Sequence, residues 1–382
     1  MKYKKGSGQF TSRNLSITSA KGMYPFRWMP GMKQKCNLKG TYRTLDGYDG
    51  DKHIHTNELM PLEDGLLATD GWTLIDDSDN FLFDDADWTW VKPREKKGSQ
   101  DWYFMAYGHD YKSALKDYTV FAGKIPLPPR YAFGYWWSRY WSYSDNELRE
   151  LLRKFRMYDI PLDVLVIDMD WHYTEPGKGG WSGWTWNKRL FPNPGRLLAD
   201  LKKEGVKLTL NLHPADGFAF YEEPYRAIAT DIGMNPEGKD TIPWITSDKK
   251  LMEAVFRNVL HPMEKEGVDF WWLDWQQNYL YPEVRGYRST SLQWINELYY
   301  RETERKGLRG AGYSRWAGWG DHRHPIQFSG DAQANWEMKP PLPQPSSSTK
   351  GCSGREYWAC HLPPQISGSC TWKSAAISSS WA

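Results

Sequence analysis

Gly-Val-Asp-Phe-Trp-Trp-Leu-Asp-Trp-Gln-Gln, residues 267–277, is an apolar run of strand length that opens on a glycine and reaches a carboxylate at Asp274. Five further runs have the same character: Tyr131–Trp137, Leu162–Asp170, Lys207–Pro214, Leu308–Trp316 and Ile326–Asp331. They do not alternate between apolar and polar, as expected of parallel strands buried on both faces. Helical patterns separate them. Ser144 and Glu147 stand at capping-box spacing, and Leu148, Leu151, Leu152 and Phe155 then fall on one helical face. A second helix over roughly 195–204 ends at Gly205, and a third near 248–265 ends at Gly267. This alternation predicts β/α units on a parallel sheet.

In β/α barrels the active site lies at the C-terminal ends of the strands. Four of the six runs close on a polar residue there: Asp168 and Asp170 in 166–172, His213 in Leu-Asn-Leu-His-Pro (210–214), Asp274, and Asp331 in Pro-Ile-Gln-Phe-Ser-Gly-Asp (325–331). A buried lone carboxylate costs several kcal/mol unless it is paired or used. Taken singly, each also reads as a helix cap or turn residue. Taken together, interleaved with Trp136, Trp137, Trp171, Trp271, Trp272 and Trp275, they read as a site. Two carboxylates about 5 Å apart can share a retaining mechanism, one attacking an anomeric carbon and the other acting as acid and then base. The acid needs its pKa raised, which aromatic walls can do. Arg315 in 313–318 is suited to binding sugar hydroxyls or holding a carboxylate ionised; its other reading is a surface arginine.

Composition narrows the classes of function. The 382 residues, 40% hydrophobic, can fill a core, and 49 Lys+Arg against 47 Asp+Glu leave a net charge of +2 with no basic stripe. Nucleic acid is therefore not an expected partner. Aromatics make up 16% of the chain, with 23 Trp, which points either to stacking on sugar rings or to a Trp-rich core. The basic start lacks the apolar stretch of a secretory signal, and no run of about 18 apolar residues occurs, so neither export nor a membrane partner is expected of the chain as written. The compartment of an intact parent, periplasmic or secreted, stays open, as does oligomeric state. Cys36 is alone before residue 338, which argues against a disulfide framework. The histidines of 53–55 and 321–324 lack zinc-site spacing, so no metal and no cofactor is expected.

Residues 1–118 carry short aromatic and β-branched runs broken by Gly, Asp and Asn, the pattern of antiparallel strands. Pro126-Leu127-Pro128-Pro129 then marks a change of regime, with the barrel region expected over 119–337. Residues 338–382, rich in Pro, Ser and Cys, read as a low-complexity tail or an out-of-frame stretch.

From about residue 65 to 337 the chain resembles glycoside hydrolase family 31, the retaining α-glycosidases. The resemblance rests on Pro161-Leu162-Asp163-Val164 leading to Ile167-Asp168-Met169-Asp170, on Trp184-Thr185-Trp186-Asn187 with Phe191-Pro192-Asn193-Pro194, on Phe270-Trp271-Trp272-Leu273-Asp274, and on Ser314-Arg315-Trp316 followed by Ser329-Gly330-Asp331. It implies a (β/α)8 TIM-type barrel preceded by a β-sandwich, with Asp274 as nucleophile and Asp331 as acid/base. Asp168, Asp170, Trp136, His213, Trp271 and Arg315 would line the sugar subsite. The implied function is hydrolysis of α-linked oligosaccharides by double displacement in the manner of an α-glucosidase. An α-galactosidase or α-xylosidase of the same family is the alternative, and a non-catalytic carbohydrate-binding or non-functional truncated protein is a further one. Trp275-Gln276-Gln277 and His213-Pro214 depart from the Met-Asn-Glu and Asp-Pro of many members, which leaves the sugar open. The family also implies a complete sandwich, eight barrel strands and β-domains after them. Only part of the sandwich and six strands are legible, so truncation at both ends, poor folding and no activity are expected of the chain as written.

Overall fold

The computed structural model describes residues 1–4, 8–39, 48–49, 52–53, 64–78, 80–84, 86, 88–92, 94, 98–173, 181–274, 291–305, 307–314 and 319–327. Its first part is antiparallel. Strands β1 (Lys2–Tyr3), β2 (Leu15–Thr18) and β3 (Arg27–Trp28) form one sheet, β4 (Tyr48–Asp49) pairs with β5 (Lys52–His53), β6 (Thr73–Asp76) with β9 (Trp102–Met105), and β7 (Leu82–Phe83) with β8 (Val91–Lys92). The β2–β3 and β6–β9 layers face each other across Leu15, Trp28 and Trp72, with Trp28 only 4.9 Å from the Phe104 ring. Two sheets joined by such a dry aromatic layer make a small sandwich. Helix α1 (Tyr111–Phe121), N-capped by Asp110, follows and crosses the boundary expected at residue 118.

The second part is a parallel sheet in sequential order: β10 (Trp136–Trp137), β11 (Val164–Ile167), β12 (Lys207–Leu212), β13 (Phe270–Leu273) and β14 (Tyr313–Ser314). In a flat sheet the first and fifth strands would stand about 19 Å apart. Here the rings of Trp136 on β10 and Tyr313 on β14 are 5.1 Å apart, and Trp136 also meets Phe270 of β13 at 5.5 Å. The sheet is therefore curled around an interior, as in a barrel. Strand alternation assigns the faces. Val164, Val166, Phe270, Trp272 and Tyr313 fill the interior, while Leu165, Ile167, Leu208, Leu210, Leu212, Trp271 and Leu273 pack under the helices. The strands are shorter than the apolar runs that announce them. The first part of Tyr131–Trp137 is a 3-10 turn over Arg130–Phe133, set by Pro128 and Pro129 before it. Of the run starting at Ile326, Gln327 makes a parallel bridge to Ser314.

Helices cover the outer face. In α2 (Asp145–Met157) the Ser144 hydroxyl accepts from Glu147 N while the Glu147 carboxylate accepts from Ser144 N, the expected capping box. Asn193 caps α3 (Pro194–Lys203), with Pro194 in the first turn where a missing N–H costs nothing. Helix α4 (Tyr225–Ile232) ends at Gly233 in the left-handed region. The next helix runs through α5 (Lys249–Val255), a π turn over Phe256–Leu260 and α6 (His261–Glu266). Pro262 cannot donate to the carbonyl four residues back, and the widened turn relieves its ring. Helix α7 (Ser291–Glu304) lies against the β7–β8 hairpin, where Trp90 meets Trp294 edge-on at 4.6 Å and Trp88 Nε1 donates to Glu302 at 2.6 Å. Burial favours the protonated form of Glu297 on α7, yet His324 at 2.9 Å, Arg323 at 3.5 Å and Arg301 at 2.8 Å outweigh it and hold the carboxyl well below the usual range. Among the described residues no helix is long and apolar enough to cross a membrane.

The loops above the strands are braced by backbone pairing. Gly217 sits at φ +70°, and a Cβ there would lie 2.0 Å from Ile242 O, within the two-bond bridge between Phe218 and Ile242. Gly217→Ala is expected to destabilise the protein by about 2 kcal/mol or more, read from denaturant unfolding; an unchanged midpoint would refute the close approach. Glu222, 5% exposed, accepts from Thr185 Oγ1 at 2.5 Å and Trp184 N at 3.2 Å, tying the loop after β11 to that after β12. Burial pushes its carboxyl up to about 7 against these hydrogen bonds. An acid whose folded pKa is raised costs nothing below its unfolded value and progressively destabilises as pH rises through about 7. Glu222→Gln should therefore gain about 2–3 kcal/mol over the wild type between pH 4 and pH 8. Parallel stability curves for the two proteins would count against it.

Candidate active site

The interior faces of β11 and β13 change from apolar to polar at the strand ends, and the inward face of β12 between them is polar throughout. Asp168 continues the face of Val164 and Val166 and leaves β11 one residue after Ile167. Asp274 continues that of Phe270 and Trp272, directly after β13. On β12 between them, Thr209 pairs in register with Phe270, so Asn211 and His213 share its inward face. The four residues meet. Asn211 Nδ2 donates to Asp168 Oδ1 at 2.6 Å and to Asp274 Oδ2 at 2.8 Å, and His213 Nε2 lies 3.1 Å from the same Asp274 oxygen. Asp168 and Asp274 are 6% and 4% exposed, and His213 is 5% exposed. An ionised carboxylate at that depth is supported by such donors.

Asn211 is the member that sequence reading passed over. It stood inside Leu-Asn-Leu-His-Pro, where the histidine closing the run drew attention. The available signal was its spacing: two residues before His213 on a strand puts both on one face.

Two residues expected to bind the sugar stand away from this cluster. Trp271 is one residue out of phase with Trp272 and Asp274, lies under the helices, and donates from Nε1 to Glu264 of α6 at 2.8 Å. Trp136 does face inward, but it belongs to the floor, beside Phe270 at the start of β13, and its Nε1 donates to Tyr131 O at 3.2 Å. Asp170 lies beyond the strand in the left-handed region, φ 61°, and accepts from Ser142 Oγ. Arg315 and Asp331 lie outside the described residues, as does Trp275.

The loop after β11 walls the mouth. It returns on itself, Tyr173 N donating to Thr185 O at 2.7 Å and Asn187 N to Trp171 O at 2.8 Å. Its Ser182 hydroxyl donates to His213 O and accepts from Asp216 N. Burial, and then the neighbouring His213, lower His172 to about 4, leaving it neutral at pH 7. Gly183 makes room for that imidazole: a Cβ there would lie 2.1 Å from His172 Nδ1. Trp181 meets His213 in a T-shaped contact at 5.4 Å and lies nearly parallel to Tyr140, and at 37% exposure it reaches the surface. The tryptophans of 184–187 are structural: Trp184 stacks on Phe218 at 4.5 Å, and Trp186 packs on Trp171 and Phe191. Among the described residues no group of three or more His, Cys, Asp or Glu could hold a metal ion.

The chain is 30% identical over 176 residues to an α-xylosidase of Saccharolobus solfataricus, an alignment covering 45% of this chain and 22% of that protein. It is 36% identical over 133 residues to α-glucosidase 2 of Bacillus thermoamyloliquefaciens, covering 34% and 16%. It thus spans less than a quarter of either relative. Among solved structures, a family 31 dextranase of Flavobacterium johnsoniae complexed with glucose superposes with a TM-score of 0.56 at 16% identity, over 84% of this chain and 44% of that one. A family 31 α-xylosidase from a soil metagenome, complexed with xylose, gives 0.51 at 18% identity over 79% and 46%. These two share the fold. The model of the glycosyl hydrolases family 31 TIM-barrel domain matches residues 125–361, past the barrel end expected at 337. With more than half of its length matched by that model, the chain belongs to glycosyl hydrolases family 31.

Proposed function

We propose that this protein is a retaining α-glycoside hydrolase acting on α-linked oligosaccharides, with Asp274 as its nucleophile. The observation that carries this reading is the burial of Asp274 at the end of an inward-facing strand, held by Asn211 and His213 beside Asp168. In double displacement, an Asp274 oxygen attacks the anomeric carbon as the bond to the leaving oxygen breaks, and that oxygen takes a proton from the acid/base. A β-linked glycosyl ester results. Water then gives its proton back to the acid/base, attacks the same carbon and frees Asp274, leaving an α-configured product. Asp331 is the proposed acid/base on the strength of Ser329-Gly330-Asp331.

An α-glucosidase-like preference is proposed for the sugar. Curated relatives named as α-glucosidase and as α-xylosidase both match the chain, and these substrates differ by the hydroxymethyl on C5. His213 touches the proposed nucleophile, and its contribution to the choice of sugar is proposed on that contact.

The test is hydrolysis of 4-nitrophenyl α-glucoside, α-xyloside and α-galactoside by the full chain. The α-glucoside is expected to turn over fastest, and a faster α-xyloside or α-galactoside overturns the sugar preference. Asp274→Ala should lower the rate by roughly 10⁴-fold or more. Added azide should restore part of it by taking the carboxylate's place, yielding the β-glycosyl azide. Full activity in Asp274→Ala, or an absence of turnover by the wild type, overturns this function.

A further inference from the structure

We propose that Asn211 is the positioning residue of the nucleophile: its single amide group spans Asp168 and Asp274 and fixes the carboxylate plane of Asp274. The proposal rests on the reading of Asp274 as nucleophile. Asn211 lies on β12, the strand between those that deliver the two carboxylates, and it is 1% exposed. Its NH2 has two protons, and the two acceptors stand at 2.6 and 2.8 Å, so each carboxylate takes one. The opposite amide orientation would aim a carbonyl oxygen at two anions, so electrostatics selects the one observed. The strand is itself held at this point, since Trp171 Nε1 donates to Asn211 O at 2.9 Å.

Two like charges at such a site repel, and each favours protonation of the other. A neutral double donor counters this without adding a cation that would compete with a positively charged transition state. Among the described residues, the titratable groups facing Asp274 include Asp168 after β11, which shares the Asn211 amide with it, and His213 after β12, itself beside neutral His172, which in turn feels Asp170. Asn211 contacts both carboxylates at the ends of β11 and β13.

The experiment is a carbon-13 titration of aspartate-labelled protein, with the Asp274 carboxyl identified by its loss in Asp274→Ala. Asn211→Ala should raise the Asp274 midpoint by about one pH unit, because hydrogen bonds to the ionised form are lost. Asn211→Ser, which keeps one donor, should fall between, and it replaces the alanine variant if that protein loses cooperative unfolding. In turnover of the aryl α-glucoside, the acid limb of kcat/KM should move with the midpoint and kcat should fall about 10- to 100-fold with KM little changed. A folded variant whose Asp274 midpoint equals that of the wild type overturns the proposal, whatever its rate. Turnover that is absent in the wild type, or untouched in Asp274→Ala, overturns the hydrolase reading instead, and the titration still reads whether the amide ties the two carboxylates.

Discussion

Alternation along the parallel strands is the constraint on which the site depends. Successive side chains point to opposite faces, so a strand wrapped between helices and an interior must satisfy two environments with one sequence. Here both are apolar for most of the strand length, with leucines under the helices and Val164, Val166, Phe270 and Trp272 inside. On β11 and β13 the interior set turns polar only at the strand ends, whereas β12 between them presents Lys207, Thr209 and Asn211 inward along its length. Asp168, Asn211, His213 and Asp274 are therefore neighbours because each continues the inward phase of its strand, and the register sets Asp168 opposite Asn211 and Asp274 opposite His213, two residues further along. A carboxylate one residue out of phase would have been lost among the leucines beneath the helices.

The same constraint explains which parts of the molecule were legible in the sequence. Apolar runs separated by capped helical patterns disclosed the parallel sheet, and the capping box at Ser144 and Glu147 formed as read. Phase was not applied within the runs, and Trp271 was placed in the subsite by the family resemblance, although it stands three positions before Asp274 and so on the opposite face of the strand. Trp136 shares the inward phase, yet depth along the barrel axis is not written in a run of two strand residues, and the ring proved to be floor. Asn211 was hidden for a different reason. An amide inside an apolar run has no distinctive signal until the partner strands are in place.

The tryptophan content, first read as either sugar contact or core, divides along the same lines. Trp28, Trp72, Trp90, Trp171, Trp184, Trp186, Trp271, Trp272 and Trp294 are buried, several joining the sandwich layer or the sheet–helix layer. Trp90 and Trp294 do more, because their contact is part of how the N-terminal hairpin sits on the barrel. Trp181 differs in being half-exposed beside the histidine that touches the proposed nucleophile. Among the described residues the tryptophans are thus used mostly in joining layers, with Trp181 beside the site.

Glu297 carries a consequence for the order in which the barrel is built. Its carboxylate is enclosed on α7, yet two of its cationic or hydrogen-bonding neighbours, Arg323 and His324, come more than twenty residues later in the chain. A chain emerging from the ribosome exposes α7 before those partners exist. During that interval, seating the helix would strand a charge in a poorly solvated place with Arg301 alone beside it. The last described turn of the chain therefore acts as a latch in time: the hairpin side of α7 can find its aromatic contacts early, while its acidic side waits for synthesis to reach residue 324.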